Sequence, residues 1–415
     1  LSFLLSCVIV CRKRERCKVK IFALRDGDRF LGFADLSALA SRRSIIAGAG
    51  AAMMATLAHS SEVRSPAKLD GDAIPTGPGL AELGSRTDLP VGVFASDGSF
   101  NDAAYLAAIQ RNCDLFAPMN ELKRRVVEPV PGKYDFPRAE KMVAWASRAR
   151  MRVHGHTLVW HKGDPKWVAP LLAKSSDERL ITDHVTYVMS RFRGRIGSWD
   201  VVNEAIQPTD GRSDGLRNSI WLQAFGEHYI DLAFQAARKA DPAATLLLTD
   251  YGLETDHPVS QARRKAMLEL LERLLKRGVP IDGVGFQAHF RRYGYPFNAK
   301  IFRPFLDRIR DLGLKFSVNE FDVADWNGPL DQEQRDLDVA DLTARFADLV
   351  LSYPQLQWFM CFGLSDRYTW LNAERPTLWL PKSRCLPLDD TLAQKPMYTA
   401  LADALKTRRV RTLSG

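Results

Sequence analysis

The sequence predicts an α/β fold, a closed (β/α)8 barrel, and three observations predict it. From about residue 91 onward, short runs rich in β-branched and aromatic residues alternate with longer segments whose apolar residues recur at three and four. Such alternation builds a parallel sheet covered by helices. The strand candidates number eight between residues 91 and 408, the count and span of a TIM barrel with some long loops. Finally, polar residues gather at the C-terminal ends of these runs. A doubly wound open sheet is the alternative, but it usually needs a Gly-rich first turn, and no GxGxxG or Walker sequence is present.

In chain order the strand candidates are VGVFAS (91–96), CDLFAP (113–118), RVHGHTLVW (152–160), GSWDVVNE (197–204), TLLLTDY (245–251), GVGFQAHF (283–290), KFSVNEFDV (315–323) and WFMCFGLSD (358–366). Each is a short apolar run of the kind buried on both faces in a parallel sheet. Between them, AEKMVAWASRARM, IDLAFQAARKA and RRKAMLELLERLLKRG carry the helical period. The GVP that follows the last of these stops a helix and starts a turn.

The barrel is assigned to 91–408 as a single catalytic domain. Residues 59–90, rich in Ser, Pro, Gly and Asp, read as a linker or N-terminal wrap. Residues 1–58 read as an N-terminal extension ending in an export signal. Within SRRSIIAGAGAAMMATLAHS (41–60), an Arg42–Arg43 pair precedes a weakly apolar run, and small residues follow at the positions a signal peptidase reads. The paired arginines point to the twin-arginine route, with cleavage after Ala58 and a periplasmic or secreted product. The chain opens on Leu1 and its first methionine is Met53, so a fragment or an over-extended reading frame is expected for residues 1–40.

The chain carries +9, but the first 58 residues hold ten Lys/Arg against four Asp/Glu, which leaves +3 for the remainder. A nucleic-acid partner is therefore not expected, because its basic surface belongs on the folded part. No apolar run beyond the signal reaches membrane length, so no membrane partner is expected for the mature form, which is read as a monomer. Outside the extension the cysteines are Cys113, Cys361 and Cys385. With no CxxC spacing they read as free buried thiols, with a Cys361–Cys385 bridge left open.

Catalytic groups of a barrel come from the C-terminal ends of its strands. The third run ends in HGHTLVWH, the fourth in Asn203–Glu204; the sixth carries Gln287 and His289, the seventh Glu320 and Asp322, and the eighth runs into Asp366 and Trp370. Side chains two apart share a strand face, so Gln287 and His289 should point one way, as should Glu320 and Asp322. Two carboxylates on different strands of one rim suit glycoside hydrolysis: one donates a proton to the leaving oxygen, the other attacks the anomeric carbon or activates water. Aromatic faces stack on sugars, and amides, imidazoles and amines bond hydroxyls.

These motifs resemble glycoside hydrolase family 10, the retaining endo-β-1,4-xylanases. GHTLVWH (155–161) with Pro165 and Trp167, WDVVNEA (199–205), DGVGFQAHF, VNEFDV, LSDRYTW (364–370) and KPMY (395–398) carry the resemblance over most of 113–404. It implies hydrolysis of β-1,4-xylosidic bonds in a xylan-like polysaccharide or oligosaccharide, with Glu204 as general acid/base and Glu320 as nucleophile. It further implies that Asn203 holds the sugar 2-hydroxyl, that His289 bonds Glu320 with Asp322 orienting the imidazole, and that Gln287 and His156 line the same subsite. Trp160 and Trp370 would wall it, and Asn120 and Lys123 would bind the next sugar. No metal and no organic cofactor is required by this chemistry. The chain departs from the family pattern at Met119 (usually Glu), Arg124 (usually Trp), Gly163 (commonly Gln) and Phe362 (usually Trp), all expected to alter the more distant glycone subsite.

Three other readings stay open on the sequence. A metal-dependent barrel hydrolase would use His154, His156, His289 and Asp366 as ligands. A degenerate barrel would bind saccharide without turnover. A related β-glycosidase would act on β-glucan or aryl glycosides.

Overall fold

The computed structural model describes residues 4–10, 18–24, 77–374 and 381–408. The chain forms two compact units, 1–76 and 77–415. In the first, β1 (Leu4–Val10) pairs antiparallel with β2 (Lys18–Leu24), Leu4 opposite Leu24. The export signal at 41–60 and its cleavage site lie outside the described residues.

The second unit is an eight-stranded parallel barrel. Its strands are β3 (Val91–Ala95), β4 (Leu115–Pro118), β5 (Arg152–Val159), β6 (Ser198–Asn203), β7 (Thr245–Asp250), β8 (Gly283–Phe286), β10 (Lys315–Ala324) and β11 (Leu356–Cys361). They pair in sequence order, and β10–β11 with β11–β3 close the ring. A short β9 (His289–Arg291) extends the β8 side against β10.

Parallel neighbours need a crossover, and a helix supplies each one. The longest, Gln332–Leu351, starts where Asp331 accepts a hydrogen bond from the Gln334 amide, and it buries Val339, Leu342, Phe346 and Val350 at helical spacing. Asp102 and Asn298 cap the helices Ala103–Asn112 and Ala299–Asp311 in the same way. Part of the segment read as linker or wrap is described: Leu80–Ser85 is a helix with Leu80 and Leu83 in the core, and the Leu80 amide donates to Asn112 Oδ1 at 3.3 Å.

The layer between strands and helices is apolar. Trp199 lies there fully buried, and it covers its register partner Gly155, where any Cβ would come within 2.1 Å of the indole. That close approach explains why glycine separates His154 and His156, which alternation turns to the barrel interior. The interior divides in two. Near β3, β4 and β11 it is apolar, with Phe94, Met119, Trp358, Met360 and Phe362 in one cluster. Toward β5, β6, β7 and β10 it holds the buried polar residues His154, His156, Asp200, Thr249 and Asn319.

Two strand expectations need correction. The run 283–290 is broken: β8 stops at Phe286, and Ala288 takes a left-handed φ of +57° before β9 begins. Simple alternation therefore does not relate Gln287 to His289. The break is held by hydrogen bonds, with Glu254 accepting from the Ala288 amide and the Gln287 carbonyl accepting from the Glu320 amide. The run 358–366 ends early, at Cys361, and Asp366 sits in a 3-10 turn, Asp366–Tyr368. Cys113, Cys361 and Cys385 are free and buried, and Cys385 donates to Thr369 Oγ1 at 3.1 Å.

Candidate active site

The C-terminal ends of β5, β6, β8 and β10 bring two acids together. Glu204 follows the last residue of β6, and Glu320 lies within β10; both are buried. Gln287 ties them: its side-chain amide donates to Glu204 Oε1 and to Asn203 Oδ1, both at 3.2 Å, while its carbonyl accepts from the Glu320 backbone. Glu204 Oε2 and Glu320 Oε1 have no hydrogen-bond partner, and neither have Trp160 Nε1 and His161 Nδ1. Buried polar atoms are nearly always paired. Four orphans at one rim mark donors and acceptors kept for a substrate.

Glu320 is served by a relay. His289 Nε2 lies 3.4 Å from Glu320 Oε2, its Nδ1 donates to Asp322 Oδ1 at 2.9 Å, and Trp370 Nε1 donates to Asp322 Oδ2 at 2.7 Å. Burial opposes a charged imidazole, but the Asp322 and Glu320 carboxylates outweigh it and raise His289 to about 10. Glu320 thus faces an imidazolium.

Below it lies a closed polar network. Asp200 accepts from His156 Nδ1 at 2.8 Å, Asn319 Nδ2 at 2.9 Å and the Thr249 hydroxyl, and His154 Nε2 lies 3.0 Å from it. Burial alone would favour the neutral acid; the two histidines reverse that and hold Asp200 well below the usual carboxylate range. Among the described residues, His156, Asp200 and Glu320 place metal-capable atoms within 4.8 Å of one another. Asp200 is already saturated with donors, so this set is a hydrogen-bond frame. The metal reading built on His154, His156, His289 and Asp366 does not assemble either: Asp366 accepts from Lys395 Nζ at 2.6 Å and the Leu386 amide at 3.0 Å.

Trp160 and Trp370, partly exposed, stand at the mouth. Lys123 Nζ sits 4.9 Å from the Trp160 ring centroid and donates to Asn120 Oδ1 at 3.0 Å, so the two polar residues of the β4 loop form one unit beside that wall. Burial pulls Lys123 down to about 8, although Glu320 opposes the shift.

The four departures fall in different places. Met119 and Phe362 share the apolar interior cluster, with Phe362 5.2 Å from the His289 ring and 5.1 Å from Phe94. Glu121 does not replace the carboxylate absent at 119, because its oxygens accept from the Asp97 and Asn120 amides. Gly163 closes a turn on the Trp160 carbonyl and accepts from the Arg125 amide. Arg124 is committed to partners of its own. Its Nε donates to Glu128 at 2.9 Å, an Nη donates to the Leu180 carbonyl at 2.7 Å, and it lies over Trp167 and Trp221. His161, Arg217, Asp200, Thr249 and Asn319 were absent from the sequence-based site. Asp200 carried a signal, an acid inside an apolar strand beside HxH; Arg217, in a loop, carried none.

The Glycosyl hydrolase family 10 model matches residues 79–404. Endo-1,4-beta-xylanase B of Thermotoga neapolitana is 32% identical over 337 residues, covering 79% of this chain and 92% of that protein. Endo-1,4-beta-xylanase C of Paenibacillus barcinonensis is 33% identical over 312 residues, covering 68% of this chain; the chain spans only 28% of that longer protein. Among solved structures, xylanase 10B from Thermotoga petrophila RKU-1 in complex with xylobiose superposes with a TM-score of 0.71 at 30% identity, over 80% of this chain and 98% of that one. With the barrel, the paired acids and these matches in agreement, the chain belongs to glycosyl hydrolase family 10.

Proposed function

We propose that this chain is an endo-β-1,4-xylanase that hydrolyses xylan by retaining double displacement. The observation that carries the reading is the pair Glu204 and Glu320, buried on different strands, joined through Gln287, each with one oxygen free of hydrogen bonds. Glu320 attacks C1 of the sugar; the C1–O bond breaks, and the Glu204 proton goes to the departing oxygen. Water then attacks C1, gives its proton to Glu204, and releases Glu320. The His289 imidazolium faces the nucleophile throughout. Asn203 Oδ1 is occupied by Gln287, which leaves the Asn203 amide N–H groups to donate to the 2-hydroxyl. Trp160 and Trp370 supply stacking walls, and Asn120 with Lys123 holds the next sugar.

The relatives support the sugar: two are named endo-1,4-beta-xylanases, and the Thermotoga petrophila structure holds xylobiose. A second reading, a β-glycosidase acting on β-glucan or aryl glycosides, draws on one observation, the apolar cluster of Met119 and Phe362, in which Phe362 lies beside His289. Product sizing on xylan, xylohexaose and β-glucan separates the two. NMR of fresh product should show the β-anomer; α-anomer first would exclude retention. Near-normal turnover by Glu204→Gln or Glu320→Gln would remove the assignment.

Export to the periplasm or medium by the twin-arginine route, and action as a monomer, belong to the same reading; the Arg42–Arg43 pair and the weakly apolar run after it support the export part. Substituting both arginines by lysine should trap the protein in the cytoplasm, and light scattering should return the mass of one chain.

A further inference from the structure

Glu204 is held in an unusual way. It carries a side chain at φ +60°, in the left-handed region where such residues are uncommon, one position beyond β6. Both of its backbone polar groups are pinned there. Its amide donates to the Thr249 carbonyl on β7 at 2.8 Å, and its carbonyl accepts from Arg217 Nε at 2.6 Å. The other arm of Arg217 donates to the Tyr251 hydroxyl at 3.1 Å. Tyr251 in turn donates to Gln207 Oε1, which also accepts from Arg263, and Arg263 is fixed by Asp250 Oδ1 at 3.2 Å and the Ile206 carbonyl at 2.7 Å. Arg217 is thus anchored from the residue after β7, itself tied through Gln207 to the helix Pro258–Lys276, while it grips the peptide of the acid.

The same guanidinium nitrogen that Tyr251 holds lies 3.7 Å from Glu204 Oε2, the oxygen without a hydrogen-bond partner. That is too long for a hydrogen bond and short enough for a charge to be felt. A direct bond would oppose protonation of the acid. An offset cation leaves room for the proton and still stabilises the carboxylate once the proton has gone to the leaving oxygen.

We propose that Arg217 is the positioning residue of the acid/base: it fixes the left-handed peptide of Glu204 and stabilises its carboxylate after proton donation. This rests on the reading of Glu204 as acid/base. No other cation lies as close to the Glu204 carboxylate in a geometry fixed on its peptide. Gln287 is neutral. His161, 3.9 Å away, is pulled to about 4 by its burial and by the Arg217 charge, so it is neutral at working pH. Asp250, behind the segment, adds no positive charge, and burial pushes its carboxyl up to about 7. Lys123, in the loop after β4, also feels the Glu204 charge, but its amine is held by Asn120; Glu320, within β10, adds no positive charge. His161 is itself influenced by Lys162 and Asp210.

The test compares Arg217→Met, Arg217→Lys and Tyr251→Phe on xylotetraose and on 2,4-dinitrophenyl β-xylobioside, whose leaving group needs no acid. Arg217→Met should lower kcat on xylotetraose by roughly a hundredfold, within the range for general acid catalysis, with KM little changed. Its loss in kcat/KM on the dinitrophenyl substrate should be within about threefold. Its alkaline limb should move to higher pH, because the acid holds its proton more tightly without the cation. Arg217→Lys, which keeps charge but cannot fork, should keep the limb in place and lose part of kcat. Tyr251→Phe frees the guanidinium to close on Oε2 and should move the limb the other way. Equal losses on both substrates with an unmoved limb in Arg217→Met would overturn the proposal. If that variant does not fold, a wild-type kcat in Arg217→Lys together with an unmoved limb in Tyr251→Phe would do so. Failure of the wild-type chain to hydrolyse either xyloside would instead refute the proposed activity and is read separately.

Discussion

The two carboxylates of the site are built in opposite ways. Glu320 sits inside a regular strand, and a charged relay serves it: His289 touches the carboxylate, Asp322 holds the imidazole, and Trp370 holds Asp322. Glu204 sits just past a strand end in a strained peptide. Its one side-chain hydrogen bond comes from a neutral amide, and its nearest cation is held at 3.7 Å. In the proposed roles, the nucleophile must stay unprotonated whenever it is free, and a fixed cation favours that. An acid/base must change charge twice per turnover, and a close ion pair would lock it in one form.

The largest effects should come from removing each acid, and the leaving group tells them apart. Glu320→Ala should cost on the order of 10⁵-fold or more in kcat on every xyloside, because no covalent intermediate can form. Glu204→Ala should cost roughly 10²–10⁴-fold on xylotetraose but little in the first step on a dinitrophenyl xyloside. Azide should restore the second step of that variant by attacking C1 without base help. Equal losses for the two variants on the activated substrate would erase the distinction between the sites.

The relay around Glu320 gives the next effect, and its sign is set by charge. Asp322 and Glu320 together raise His289 to about 10, so the wild-type imidazolium persists through neutral pH. Asp322→Asn removes the larger of those influences, and the pKa of His289 must fall. The variant should keep much of its activity at pH 5 and lose roughly tenfold to a hundredfold by pH 8, as the imidazole loses its proton. A pH profile parallel to that of the wild type would show that His289 acts without its charge.

These differences were unequally legible in the sequence. Periodicity placed most of the barrel strands, because a buried parallel strand is a short apolar run and little else looks like it. It missed the break at the left-handed Ala288, which no glycine or proline announces, although Gln287 and His289 both still reach the paired acids. Glu204, Glu320, Asn203, Gln287 and His289 stood out because polar residues at the ends of apolar runs need a reason. Arg217 stood out in no way: a loop arginine is ordinary, and only the fold brings its Nε to the Glu204 carbonyl. Arg124 stood out only as a departure from the family pattern, and its buried seat among Glu128, Trp167 and Trp221 comes from the fold alone.

The smallest effect separates the reaction centre from the glycone wall. Lys123 belongs to the wall, where it donates to Asn120 beside Trp160. Its burial pulls the amine down to about 8, so the proton leaves between pH 7 and 9. In the proposed subsite, Lys123 would then present a cation to a sugar oxygen below that range and a neutral amine above it. One hydrogen bond to a charged group is worth about 1.5 kcal/mol, or roughly tenfold in affinity. KM for xylotriose should therefore rise by up to about tenfold from pH 7 to pH 9, beyond any change in kcat. Lys123→Met should have the higher KM at both pH values and no step between them. The dinitrophenyl monoxyloside, which does not reach the next sugar position, should show no step in either protein. A KM step that survives Lys123→Met would place the titrating group at the reaction centre and remove the separation between the two regions.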